Sequence, residues 1–181
     1  MGETWTLLGT KLVRSSGLYR TVILIPVAVG GSAARRWAEG GDLNAAMLAA
    51  IKAAKARYVI TGVLLDQGAA DFALRSPEAQ YRSDLASLID SLRAEGVHAP
   101  FFITRCSVAG EDWTADNPVA RAQASLADDQ RGIFDGPNTD RDITPFDRYD
   151  GHHFSASGQE KYVDAWIPLL RAHPGVVEGH P

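Results

Sequence analysis

The stretch YDGHHFSASGQ (residues 149–159) sets Asp150 three residues ahead of His153, then runs into what reads as a helix start. A neutral imidazole takes up a proton near neutral pH. A carboxylate on its other nitrogen fixes the tautomer and stabilises the cation. In a loop before a helix, a spacing of three turns both side chains to the same side, which suits the base of a hydrolase. The competing reading is a polar loop in which Asp150 caps a turn and His153 is solvated. Together His152, His153, Asp147 and Asp150 also raise a metal site. Adjacent histidines point apart along a chain, however, and no third ligand follows at regular spacing, so no metal is expected.

Two other stretches carry residues that chemistry uses. In GGSAARRW (residues 30–37), Gly30 and Gly31 follow an apolar run, where their N–H groups can point at an anion. Ser32 ends that turn much as a nucleophile elbow places its serine. The plain alternative is a tight turn into a helix. Trp37 either floors a sugar site or covers the core. In LLDQGAAD (residues 64–71), Gln67 either donates its amide N–H to a developing oxyanion or bonds a turn. The single cysteine, Cys106, ends the apolar run APFFITRC and reads as a small buried hydrophobe; one cysteine makes no disulfide framework.

The elements that must position these residues alternate between strand-length apolar runs and helical periodicity. ETWTLLGTKLVRSSG places Trp5, Leu8 and Leu12 on one helix face and ends at Gly17, a left-handed cap. VILIPVAV (residues 22–29) reads as a strand, and its Pro26, lacking an N–H, puts it at a sheet edge. A helix is expected over residues 43–57. YVITGVLLD follows as a strand apolar on both faces, hence buried within a parallel sheet. Ser76 and Pro77 read as N-cap and N1 of the next helix, which Gly96 stops. APFFITRC is the third strand, Asn117 and Pro118 open another helix, and RGIFD is a short fourth strand. Ser157 and Glu160 read as the capping box of a helix ending near Leu170, and the tail HPGVVEGHP reads as frayed. The order α-β-α-β-α-β-α-β-α argues for one doubly wound α/β domain over residues 1–181, with ligands outside the carboxyl ends of the strands.

Composition narrows the partners. The chain of 181 residues is 45% hydrophobic and 22% charged, as an ordinary globular domain is. Its net charge of −4, without a basic run, argues against nucleic acid. VILIPVAV is far too short to span a bilayer, so no membrane partner is expected. No charged n-region leads into an apolar h-region. A cytoplasmic location is therefore expected of the chain as written, and secretion only if a preceding segment held a signal. No Gly-rich phosphate loop is present, and no cofactor is expected.

Together VAVGGSAARRW, VLLDQGAAD and YDGHHFSASGQEKY resemble three blocks of the SGNH hydrolases, in particular the sialate O-acetylesterase-like, carbohydrate acetylesterase branch. The first looks like that branch's strand ending in Gly-Gly-Ser or Gly-Gly-Thr with a Trp shortly after. The second is similar to its His-Gln-Gly-Glu-Ser-Asp block. The third is similar to its Asp-x-x-His-Phe-Ser followed by Gly. Order and spacing match across nearly the whole chain. The resemblance implies a flavodoxin-like, three-layer α/β/α fold. It implies a serine ester hydrolase that removes acyl groups, commonly acetyl, from a small acylated substrate, expected to be a sugar. It assigns His153 as general base, Asp150 as its orienting acid, and Gly30, Gly31 and Gln67 to the oxyanion hole.

The chain also departs from that pattern. The branch carries its nucleophilic serine in a Gly-x-Ser-Asn block at the end of a first strand, before everything quoted above. This chain opens with a helix, so that strand and its serine are expected to be missing. Family topology places the strand between VILIPVAV and YVITGVLL, and the gap calls for a partner strand or a homodimer. Ser32, the only serine in a Gly-x-Ser turn after a strand, is the fallback nucleophile. Ala69 stands where the branch carries Glu, and Asp66 where it often carries His. The same departures suit the alternative, a catalytically inactive module binding a glycan or protein partner through the old cleft.

Overall fold

The computed structural model describes residues 4–108 and 112–173. Three strands, β1 (Val63–Leu65), β2 (Phe101–Arg105) and β3 (Ile133–Asn138), lie in the order β1-β2-β3, all parallel. Register places Leu64 beside Phe102, and Phe102 beside Phe134. Successive side chains leave a strand on opposite faces, and the core divides accordingly. Phe101, Ile103 and Ile133 point into a cluster with α4 (Glu78–Ala94), α5 (Pro118–Leu126) and Met47 of α2 (Asn44–Lys55). Phe102 and Phe134 point the other way, against Leu8 and Leu12 of α1 (Thr4–Arg14) and Tyr162, Val163 and Trp166 of α7 (Ala156–Ala172). Two short helices, α3 (Ala69–Ala73) and α6 (Thr139–Asp142), follow the carboxyl ends of β1 and β3. The result is the three-layer, doubly wound α/β arrangement of a flavodoxin-like fold.

Local signals account for most helix ends. Asn117 accepts the Ala120 N–H at 3.0 Å with Pro118 in the first turn, as read from the sequence. α4 stops at Ala94, just ahead of Gly96. Two caps differ from expectation. Pro77, not Ser76, is the N-cap of α4, because the Ser76 hydroxyl is drawn to Asp71 at 2.8 Å. Ser155, not Ser157, caps α7, because Ser157 donates to Asp147 at 3.0 Å; Glu160 pairs with Lys11 instead of closing a capping box. Most of the tail HPGVVEGHP lies outside the described residues.

The larger correction concerns the first expected strand. Residues 22–29 form no strand and join no sheet ladder, and Ile23, Ile25 and Val29 are 53%, 41% and 44% exposed. The strand read from YVITGVLLD shrinks to Val63–Leu65, half-buried, and stands at the edge of the sheet rather than inside it. Val59, meant for its buried face, is 76% exposed. Both departures have one cause. A strand needs a neighbour to bond and pack against, and among the described residues β1 has a partner strand on one side alone while residues 22–29 have none.

Candidate active site

His153 sits in the turn between β3 and α7. Asp150 Oδ1 accepts the His152 and His153 backbone N–H groups at 3.0 and 2.7 Å, and its Oδ2 lies 2.7 Å from His153 Nδ1. Gly151 lies between them at φ 78°, a left-handed conformation that lets the chain fold back onto the Asp150 carboxylate. The His153 N–H, its imidazole and the His152 N–H hold the Asp150 carboxyl well below the usual carboxylate range. An ionised carboxylate only accepts, so Nδ1 carries a proton, and in the neutral ring Nε2 is the atom with the lone pair. The Tyr149 ring stacks on the imidazole at 5.8 Å between centroids. No described residue hydrogen-bonds to Nε2.

Asp147, raised in the sequence only as a possible metal ligand, and Arg148, which the sequence did not single out, fix this turn. Buried Asp147 receives the Lys161 ammonium at 2.7 Å, the Thr144 N–H and hydroxyl at 3.0 and 2.8 Å, and the Ser157 hydroxyl. Its carboxyl is held well below the usual range, chiefly by Lys161. Its carbonyl accepts the Ser155 N–H at 2.8 Å and so sets the entry of α7. Arg148 donates to the His152 carbonyl, with its guanidinium lying over Trp113 and Phe154 at 5.1 and 4.8 Å.

The other candidates gather beyond β1. Ser32 is buried; its hydroxyl donates to the Val29 carbonyl at 2.7 Å and accepts the Trp37 indole N–H at 2.8 Å. Trp37 itself is buried in the core cluster, which settles its role as cover rather than sugar platform. Gln67 Nε2 donates to the Ser32 carbonyl at 3.3 Å and to Asp71 at 2.6 Å, while its Oε1 is buried without a partner. Asp71, 2% exposed, also accepts the Ala34 N–H at 2.8 Å. It thereby ties the glycine turn, Gln67 and Ser76 together. Gly68 allows this close approach, since a Cβ there would stand 2.1 Å from the Cys106 carbonyl. Among the described residues, the N–H groups of Gly30 and Gly31 meet no backbone acceptor.

The family described as carbohydrate esterase, sialic acid-specific acetylesterase, matches residues 8–162. The chain belongs to this family. No curated protein and no solved structure matches it.

In this carbohydrate esterase domain one hydrogen bond links the two groups of site residues through the fold. Tyr162 of α7 donates to Asp66 Oδ2 at 2.9 Å, directly before Gln67, so the helix after His153 is referenced to the end of β1. No hydrogen bond joins His153 itself to Ser32 or Gln67. Burial pushes the Cys106 thiol well up, and Asp66 adds to it, as befits an inert cysteine. Asp140 binds the loop after β2 through the Ser107 N–H and hydroxyl and the Val108 N–H. Burial raises its carboxyl above the usual value against those bonds. Among the described residues, no three His, Cys, Asp or Glu side chains gather as a metal group. Asp71 had one signal in the sequence, a lone acid within the apolar helix AADFA.

Proposed function

We propose that this chain supplies the acid–base half of a serine esterase that removes acetyl groups from carbohydrate. The observation that carries the reading is the Asp150–His153 pair, whose bond to Nδ1 leaves Nε2 free to take a proton. Nε2 removes the proton of an attacking hydroxyl as its oxygen bonds the acyl carbon. The N–H groups of Gly30 and Gly31, with the Gln67 amide turned from Ser32, meet the oxyanion. Collapse expels the sugar oxygen, which takes the proton back from Nε2. Water then repeats the sequence, releasing acetate and restoring the hydroxyl.

Ser32 is not that hydroxyl in this reading, because its proton and a lone pair are already committed inside the turn. The nucleophile comes from outside the described residues. The family's description makes O-acetylated sialic acid the first substrate to try. The test measures acetate release from it and from p-nitrophenyl acetate. His153→Ala is expected to remove activity and Ser32→Ala to leave it. Release unchanged in His153→Ala refutes the base, and a fluorophosphonate adduct on Ser32 refutes the outside nucleophile. Glycan binding without any acetate release replaces the esterase by the binding module.

A further inference from the structure

Arg148 is a cation that the fold holds in place without matching it. Among the described residues its guanidinium makes one hydrogen bond, from Nη1 to the His152 carbonyl. Its Nε is buried without a partner. Among the described residues it enters no ion pair. Asp140, Asp66 and Asp147 act on it through space, but their oxygens are taken elsewhere. Asp147 is met by Lys161, Thr144 and Ser157, Asp140 by Ser107 and Val108, and Asp66 Oδ2 by Tyr162. Burial lowers the Arg148 pKa from its ordinary value against the pull of those carboxylates. An arginine stays charged regardless, so spare donors and a positive charge are left half-buried.

The guanidinium is also fixed. Its central carbon lies 5.1 Å from the Trp113 ring centroid and 4.8 Å from that of Phe154. The Arg148 backbone bridges to Phe154, and its N–H donates to the Pro145 carbonyl at 3.2 Å. Donors held in this way lose little freedom when a ligand arrives. The place is that of a ligand as well. Asp66, Cys106 and Asp140, all within electrostatic reach, follow the carboxyl ends of β1, β2 and β3. The carbonyl that Arg148 holds belongs to the residue next to the base. A fixed guanidinium with unused N–H groups matches a planar oxyanion, and a carboxylate above all.

We propose that Arg148 receives a carboxylate of the sugar and thereby selects acidic over neutral acylated sugars. The acyl chemistry rests on the esterase reading; the carboxylate receptor does not.

The test compares O-acetylated sialic acid with its carboxyl methyl ester, which keeps the sugar and removes the charge. Wild type is expected to favour the acid about tenfold or more in kcat/KM, the effect of one charge-assisted hydrogen bond. Arg148→Met is expected to bring that ratio to about one, and Arg148→Lys, with the charge but not the fork, to an intermediate value. The ratio is read because Arg148 also fixes the His152 turn, and a positional loss lowers both substrates alike. A wild-type ratio near one, or a ratio unchanged in Arg148→Met, overturns the proposal while acetate release keeps the esterase reading. Where Arg148→Met does not fold, the wild-type ratio and Arg148→Lys decide. Where wild type releases no acetate, saturation-transfer NMR makes the same comparison with free sialic acid and its methyl ester. Acid-selective binding that Arg148→Met loses then supports the receptor and removes the esterase reading. Equal binding of the two, or binding of neither, overturns the receptor.

Discussion

Replacing Asp71 by Ala tests whether one buried carboxylate holds the oxyanion side of the site together. Asp71 accepts three bonds, from the Ala34 N–H, Gln67 Nε2 and the Ser76 hydroxyl. Ala34 is fully buried, so its N–H cannot turn to water once the carboxylate is gone. A buried orphan donor costs about 1–3 kcal/mol. Gln67 and Ser76 are half-buried and recover part of their loss from solvent, costing about 0.5–1.5 kcal/mol each. The sum centres on roughly 4 kcal/mol, a Tm drop of about 8–16 °C for a chain of this size. Asp71→Asn keeps an accepting oxygen but turns an NH2 toward one donor, and is expected to cost about half as much. Urea unfolding followed by far-ultraviolet circular dichroism reads both, with the midpoint falling and the slope unchanged. An Asp71→Ala loss under about 1 kcal/mol would refute the hub, since an orphaned donor alone costs that much. Equal losses in the two variants would mean that charge, not bond number, matters there.

Two further outcomes follow from the base's side of the site. Asp150→Asn is expected to cut acetate release about 10⁴-fold, the size of a wrong-tautomer defect. Its stability should hold, because an Asn oxygen still accepts the His152 and His153 N–H groups; a loss below tenfold contradicts the tautomer argument. Asp147 has a folded pKa below its unfolded value, so its contribution is full above about pH 4 and fades as pH falls through the folded value. The Tm gap between wild type and Asp147→Asn should therefore narrow from pH 7 to pH 2, and a constant gap would show that the carboxylate's charge is idle.

What could be read from the sequence divides by reach. Asp150 and His153 lie three residues apart, and the turn that joins them closes on itself, so the pattern alone carried it. Asp71 meets Ala34 across 37 residues, and Arg148 lies over Trp113 across more than thirty; no local spacing announces either. The caps show the same division. Asn117 satisfies the first turn of α5 from its own position, whereas Ser76 and Ser157 were drawn away by carboxylates that only the fold brings near. Residues 22–29 show why a β-branched run was over-read. Its composition suits a strand, but strand formation depends on a neighbour.

The open edge of β1 has a consequence for how the chain behaves in solution. An unpaired, uncharged edge is a template for other chains, and proteins guard such edges with charge or proline. Here the guards are few: Arg20 ahead of residues 22–29, Arg57 ahead of β1, and Pro26 within the first. Colloidal stability then rests on those three residues and a net charge of −4. Arg20 and Arg57 are thus the gatekeepers of that edge, and charge there does for solubility what a paired neighbour does elsewhere in the sheet.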